Sequence, residues 1–187
     1  MMNNETLRVI SARRSHRAYE KTPLTGEQIN ALLQAAMASP SAVNRQPWHF
    51  TVVRNQALLE EINRAVWDQM MKKHPEKRSP RFEDSNFNVF YHAPAVIFIS
   101  GMPDNHYTPI DGGIAVENIA LAAESMGLGS VILGMPGEAF RHEKADQFRR
   151  ALLFPEGWDF VIAIAVGVPA DEKAPHPAAE GRISFVD

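Results

Sequence analysis

Two stretches that are apolar on both faces constrain the fold of this chain most strongly. Residues 95–100 read Ala-Val-Ile-Phe-Ile-Ser, and residues 160–168 are similarly apolar throughout. A half-solvated strand alternates apolar and polar side chains, so this pattern instead predicts interior strands that are covered on both sides. The sequence therefore predicts an α+β fold, with a mixed sheet flanked by helices in three layers.

Helical periodicity supplies the covering elements. Thr25 and Gln28 form a capping-box pattern at the start of an amphipathic helix that must end near Ser39, and Asn4 is a candidate cap of a shorter helix. Residues 114–126 are apolar nearly all round, so we expect that helix to be buried on several sides, one of which a second chain could supply. Further helices are predicted at 58–70 and 138–150, strands at 50–53, 130–133 and 183–186, and an irregular segment at 72–88.

Composition narrows the class of protein. The 187 residues suit one domain, 1–187, and the net charge of −3 includes no basic excess that would indicate nucleic acid or an anionic membrane as a partner. There is no cysteine, which excludes disulfides and thiolate catalysis. The seven histidines have no metal-type spacing, so no metal site is predicted. Since no apolar leader or spanning segment is visible, we expect a cytoplasmic protein.

The segment between the second helix and the first strand, residues 39–50, is richer in polar groups than a connector needs. It reads Ser-Pro-Ser-Ala-Val-Asn-Arg-Gln-Pro-Trp-His-Phe. Asn44 and Gln46 each offer a hydrogen-bond donor and an acceptor, which suits the edge of a flat heteroaromatic ligand. We interpret this segment as a binding edge.

A cluster of cations precedes it. Residues 13–17 read Arg-Arg-Ser-His-Arg, and arginine forks beside a hydroxyl suit a terminal phosphate group. The alternative is a solvated helix end, where cations are favoured by the helix dipole. The residues by themselves leave both interpretations open.

Glycines flank the predicted strand at 130–133. Gly127 is typical of a helix C-cap, whereas Gly134 could allow a ligand to approach the backbone closely. Neither a dinucleotide-binding Gly-x-Gly-x-x-Gly nor a P-loop is present, and Ser15 has no nucleophile elbow around it. A site with phosphate-binding arginines, amides and no protein nucleophile indicates that a cofactor carries the chemistry.

Taken together, the chain resembles the FMN-dependent nitroreductase family. Four segments carry the resemblance: residues 13–19, 39–50, 111–126 and 127–134. The resemblance implies an intertwined homodimer with two FMN sites at the subunit interface. It also implies that the flavin, rather than any side chain, carries the catalysis.

The resemblance further implies a set of FMN contacts. Arg13, Ser15 and Arg17 match phosphate and ribityl contacts, with at least the backbone of Arg14, and Arg182 resembles a second phosphate ligand. Asn44 and Gln46 match residues around the flavin, and Asn86 an asparagine near its pyrimidine edge. Leu133 and Gly134 match backbone beside N5, and Pro40, Ser41 and Ala42 match a segment that reaches the FMN of the other subunit. The chain departs from relatives at Glu180 and Val89, where basic residues are common.

The implied activity is hydride transfer from NADH or NADPH to flavin N5, then to a nitroaromatic, quinone or similar acceptor on the same face, with ping-pong kinetics. Ene-reduction, dehydrogenation, dehalogenation and flavin breakdown on the same scaffold stay open, as does FMN binding without turnover. A flavin-free α+β domain is a further alternative. Residues 102–109, with His106 and Tyr107, either border the substrate opening or form an ordinary surface loop.

Overall fold

The computed structural model describes residues 4–73, 86–175, 177 and 179–186 of the chain. Five α-helices and four strands lie in these ranges. The helices are α1 (Glu5–Ala12), α2 (Gly26–Met37), α3 (Gln56–Lys73), α4 (Thr108–Ser125) and α5 (Ala145–Ala151). The strands are β1 (Trp48–Val53), β2 (Ala95–Gly101), β3 (Gly129–Leu133) and β4 (Asp159–Gly167). Short 3₁₀ segments occupy Ala42–Asn44 and Met135–Arg141.

The predicted helix starts are present. The Asn4 side chain accepts a hydrogen bond from the Leu7 amide, and Thr25 and Gln28 form the complete capping box of α2. α4 begins at Thr108, six residues earlier than its periodicity predicted. Pro109 lies in its first turn, where a missing N–H costs nothing because the first N–H groups of a helix have no partner within the helix. None of the described helices is long and apolar enough to cross a membrane.

The sheet corrects one expectation about topology. Its strands lie in the order β1-β2-β4-β3, and every pair of neighbours is antiparallel, so the predicted mixed sheet is wrong for the described strands. The reason is the placement of β4. α4 connects β2 to β3, which run in the same direction, and β4 enters between them in the opposite direction.

Helices cover both faces of the sheet, which confirms the three-layer α+β arrangement. Alternate residues of β2 point to opposite sides: Val96 and Phe98 pack with α3 and α5, whereas Ile97 and Ile99 pack with α2 and α4. All seven residues of β2 are buried. The strand is apolar on both faces because helices cover the sheet on both sides.

Two further expectations are wrong. The predicted helix at 138–150 is divided into the 3₁₀ segment and α5, because His142 takes an extended backbone and its ring accepts a hydrogen bond from the Lys144 amide. Residues 183–186 form no strand and are exposed, so they lack the strand pairing that the prediction requires. Most of the predicted irregular segment at 72–88 lies outside the described residues.

Candidate functional site

The segment Ser39 to Pro47, here called the polar loop, is held by its own side chains. The Ser41 hydroxyl accepts a hydrogen bond from the Gln46 amide at 2.9 Å, and the Ser41 carbonyl accepts one from the Asn44 amide at 2.9 Å. The Gln46 side-chain amide donates to the Asn44 side chain at 3.2 Å. Asn44 and Gln46, both predicted ligand contacts, therefore form one exposed unit.

Helix α4 anchors this loop from below. Asp111, in its first turn, accepts a hydrogen bond from the Ala42 amide at 3.2 Å, and Asn118 donates to the Ser39 hydroxyl at 2.8 Å. Asp111 and Ser39 are buried, whereas Pro40 is exposed and Ser41 is half-buried. These hydrogen bonds fix the position at which Pro40, Ser41 and Ala42 reach the surface.

The polar loop has a strained backbone. Val43, Asn44 and Gln46 all have positive φ angles, between 48° and 54°. A β-branched residue such as Val43 rarely adopts this conformation, and each such residue costs about 1–3 kcal/mol. The Val43 side chain is 84% exposed, so core packing does not compensate for the strain. Strain of this kind concentrates at ligand-binding segments.

The arginine cluster, Arg13 to Arg17, lies beside the middle of α4 and the start of β3. Arg13 Nε is 3.4 Å from Glu117 Oε1 on α4. Arg14 has a different role: its guanidinium donates to the carbonyls of Ser11 and Arg13, both at 2.7 Å, and so caps the end of α1. The Arg17 guanidinium is exposed and lies 5.9 Å from the centre of the Tyr91 ring.

Backbone pairing fixes the cluster against the start of β3. Ser15 forms an isolated parallel bridge with Ser130, and the His16 amide donates to the Ser130 carbonyl at 2.9 Å. Ser15 itself is half-buried. Leu133, also a predicted cofactor contact, lies three positions after Ser130 in β3, which corresponds to about 10 Å along the strand.

Gly134 follows Leu133 and leaves open space beside it. A side chain at Gly134 would meet no atom closer than 4.0 Å (Ile162 Cδ1). Gly134 lines a cleft of about 280 Å³ together with Gly137, Glu138 and Phe160 among others. By contrast, a Cβ at Gly129 would come within 2.9 Å of the His16 ring, so Gly129 is required by packing.

The structure divides the predicted site residues into two groups. Arg13, Ser15, Leu133 and Gly134 lie along β3, at one edge of the sheet. The polar loop leads into β1, at the opposite edge, three strand spacings or about 14 Å away. Within one chain these groups are therefore not adjacent.

Two predicted residues belong to neither group. Asn86 is exposed in a turn, and Arg182 is exposed in the terminal tail. Val89, at a position where the resemblance implies a basic residue, is buried, and its amide donates to Asn63 Oδ1 at 2.9 Å. Core packing therefore explains the apolar residue at that position.

The segment at 102–109 borders a second cleft, of about 600 Å³. Met102 to Tyr107 form one wall, Glu156 to Trp158 form another, and Arg45 of the polar loop also lines it. The prediction that this segment borders an opening is consistent with this cleft, which lies at the end of the sheet where β2 ends and β4 begins.

Acidic residues around the site were missed by sequence reasoning. Asp111 and Glu117 anchor the two groups to α4, and Asp171 contacts the arginine cluster from beyond β4. An aspartate in the first turn of an otherwise apolar helix is a signal that could have identified Asp111. Nothing local marks Asp171, because its contacts are 154 and 155 residues away in sequence.

Burial and hydrogen bonding change two pKa values near the cluster. Burial raises the pKa of the Tyr19 phenol, which donates to the His16 carbonyl at 2.8 Å. Burial would also raise the pKa of Asp171, but hydrogen bonds from the His16 ring, the Arg17 amide and Lys173 together lower it to about 2. Asp171 is therefore an anion at neutral pH.

Comparison with known proteins identifies the family. The model of the nitroreductase family matches residues 10–168. A protein of Archaeoglobus fulgidus with the provisional name NADH dehydrogenase/NAD(P)H nitroreductase is 34% identical over 175 residues, which cover 90% of this chain and 88% of that protein.

Solved structures agree with this result. A nitroreductase with bound FMN from Desulfitobacterium hafniense matches with a TM-score of 0.92 and 33% identity over 100% of both chains. A nitroreductase with bound FMN from Bacteroides fragilis matches with a TM-score of 0.91 and 29% identity over 99% of this chain and 100% of that one. With its two groups of polar residues, its antiparallel sheet and these matches, the chain belongs to the nitroreductase family.

Proposed function

We propose that this protein is an FMN-dependent oxidoreductase that uses NADH or NADPH to reduce a nitroaromatic, quinone or similar small acceptor. One observation carries the proposal: Ser15, within the arginine cluster, bridges Ser130 near the start of an edge strand, and the open Gly134 follows the end of that strand, four positions or about 13 Å away. A ligand with a phosphate at one end and a flat ring system at the other matches that layout. The relatives from D. hafniense and B. fragilis are described with FMN bound.

The residues present fit FMN at both ends. Arg13 and Arg17 supply guanidinium groups for the phosphate, and Ser15 between them supplies a hydroxyl. Gly134 leaves room for a ring to approach the backbone beside Leu133. Arg14 would contribute through its backbone, since its side chain caps α1. Asn86 and Arg182 are proposed as further contacts on the resemblance alone.

The chemistry would be that of the cofactor: FMN, when bound, would supply hydride transfer between a nicotinamide and the acceptor. The chain's own residues bind and orient. The arginine cluster would hold the phosphate end, and the backbone at Leu133 and Gly134 would set the height of the ring above the cleft. No side chain is assigned as acid or base.

We further propose that the site is completed in a homodimer. In a single chain the polar loop lies at the opposite edge of the sheet from Gly134. A second copy could bring its polar loop to the first chain's β3 edge, so that Pro40, Ser41 and Ala42 reach the FMN of the other subunit. Asn44 and Gln46, which are hydrogen-bonded within the same loop, would accompany them. Exposed apolar residues on α1, α4 and the terminal tail are available to pack between the copies: Leu7, Ile10, Ile110, Ile114, Ile183, Phe185 and Val186.

The proposal is tested by anaerobic reduction. The purified protein is incubated with FMN, dialysed, and titrated with NADH or NADPH while the flavin absorbance near the visible maximum is followed. We expect the yellow colour to be retained on dialysis, to bleach with the nicotinamide, and to return when an acceptor is added.

Other outcomes separate the alternatives. A protein that stays yellow with both nicotinamides would be an FMN binder without turnover, and one that is colourless after dialysis would have no FMN site. An acceptor panel of nitroaromatics, quinones, activated alkenes and halogenated aromatics distinguishes the reductions that the scaffold could perform. Initial rates that show both substrates bound at once would contradict a shared ring face.

A further inference from the structure

The chain beyond β4 returns to the arginine cluster. The Glu20 amide donates to the Val168 carbonyl at 2.9 Å, the Ala170 amide donates to the Ala18 carbonyl at 2.9 Å, and Tyr19 bridges Pro169 in antiparallel fashion. This short pairing carries residue 171 to the side of residues 16 and 17.

Asp171 then contacts the cluster with both carboxylate oxygens. Its Oδ1 lies 2.7 Å from His16 Nδ1, and its Oδ2 accepts a hydrogen bond from the Arg17 amide at 3.1 Å. Lys173 Nζ is 3.0 Å from Oδ2. The side chains of Asp171 and His16 are only 18% and 13% exposed, so these contacts are largely shielded from water.

The opposite side of His16 is also fixed. Its ring packs on Gly129, where a Cβ would come within 2.9 Å of Cγ, and its amide donates to the Ser130 carbonyl. His16 is thus held between the start of β3 and Asp171. Because it stands between Ser15 and Arg17, fixing His16 also fixes the peptide units that carry the predicted phosphate contacts.

We infer that Asp171 is a positioning residue for phosphate binding, which holds residues 15–17 in the conformation that presents Ser15 and Arg17 to the phosphate of FMN. The inference rests on the proposed function. An anion beside a phosphate site would by itself repel the ligand. Asp171 therefore favours FMN binding only if its hydrogen bonds to residues 16 and 17 contribute more than this repulsion costs.

The opposite signs of these two effects make the inference testable. If Asp171 acted only through its charge, Asp171→Asn would tighten FMN binding. If it positions residues 15–17, the same change would weaken binding, because an asparagine side chain has a single acceptor oxygen and would turn its NH2 donor toward the second donor. Glu172, the exposed carboxylate next to Asp171 in the chain, has no side-chain contact with the cluster in the described structure and provides the matched control.

The experiment measures dissociation constants of FMN and riboflavin by flavin fluorescence for the wild type, Asp171→Asn and Glu172→Gln. We expect Asp171→Asn to weaken FMN binding about tenfold or more, the scale of lost hydrogen bonds to a charged group, while riboflavin binding changes by less than about twofold. Glu172→Gln, which removes a neighbouring negative charge, should leave FMN binding unchanged or tighter.

Two further variants exclude a general loss of folding. His16→Phe retains a ring on Gly129 but cannot bond Asp171, and should also weaken FMN more than riboflavin. Asp171→Glu retains the carboxylate and should restore part of the FMN affinity. Equal losses for both flavins in both Asp171→Asn and His16→Phe, or FMN binding by Asp171→Asn at wild-type strength or tighter, would overturn the inference. A wild type that binds no FMN would instead overturn the proposed function.

Discussion

At the scale of single residues, the arginine cluster contains cations with different tasks. Just outside the cluster, Arg8 is paired with Glu5 at 2.6 Å, and within it Arg14 donates to helix carbonyls. Arg13 forms an ion pair with Glu117 that a phosphate would have to share, and Arg17 is exposed above the Tyr91 ring. Residue types predicted a positive patch, but only the contacts show which cations already have protein partners.

Replacing Arg13 and Arg17 together tests the phosphate assignment. We expect Arg13→Ala/Arg17→Ala to weaken FMN binding by about 100-fold or more, because each lost charged hydrogen bond contributes about 1.5–3 kcal/mol. Riboflavin, which has no phosphate, should lose less than about threefold. Flavin fluorescence titration measures both constants.

The control for this variant is Arg64→Ala, since Arg64 pairs with Glu60 on the exposed face of α3, away from the cluster. It should leave both affinities at the wild-type value. Equal losses of FMN and riboflavin in the double variant would mean that the cluster does not hold a phosphate.

At the scale of elements, α4 links the two halves of the site. Most of its apolar residues are buried between the sheet and its neighbours, with Ile110 and Ile114 exposed. Asp111 and Asn118 hold the polar loop, and Glu117 contacts Arg13. The apolar periodicity predicted that this helix is buried, which is confirmed. The periodicity carried no information about which polar residues of the helix would meet which loop, because those partners are 69 to 104 positions away in sequence.

Gly101, at the end of β2, is a point where elements meet closely. A Cβ there would lie 2.4 Å from Thr108 Cγ2 and 2.6 Å from the Pro47 carbonyl oxygen. We expect Gly101→Ala to lower the free energy of unfolding by about 1–3 kcal/mol, the usual cost of overpacking, and to displace the polar loop or the start of α4. Urea denaturation followed by circular dichroism measures the change.

Gly26 provides the matched substitution. A Cβ at that position, the first residue of α2, would meet no atom within 4 Å. Gly26→Ala should raise stability slightly, by about 0.4–1 kcal/mol, because it restricts the unfolded chain without a clash. If both changes had the same effect, close packing at Gly101 would not be the cause.

At the scale of the whole molecule, the distribution of exposed apolar residues favours association. Phe185 and Val186 are 88% and 97% exposed, and Ile10 and Ile114 add to the apolar surface on α1 and α4. The predicted site residues form two groups at opposite edges of the sheet. This separation also favours a dimer, in which each site would contain residues of two chains.

Sedimentation equilibrium with FMN titration tests this arrangement. We expect the wild type to be a dimer, and Ile110→Asp/Ile114→Asp to give a monomer that has lost FMN affinity, since charges placed on an apolar interface must be desolvated. The control is Leu153→Asp, because Leu153 is 73% exposed beside α5, outside that surface. A monomeric variant with wild-type FMN affinity would contradict the shared site.

The sequence by itself determined the family of this protein and most of its elements, although not the division of the helix predicted at 138–150 or the absence of a strand at 183–186. Both-face apolar strands, the Thr25 capping box and the motifs at residues 13–19 and 39–50 are local patterns, and local patterns depend on neighbours within a few positions. They are sufficient for a three-layer α+β fold and for a list of site residues.

Tertiary structure decided how those elements and residues meet. The insertion of β4 between β2 and β3, the capping role of Arg14 and the contact of Asp171 with His16 all depend on groups that are distant in the chain or oriented by packing. Each of these groups has many possible partners in the chain. Which partner it contacts depends on burial and geometry, and these are defined only when the chain is folded.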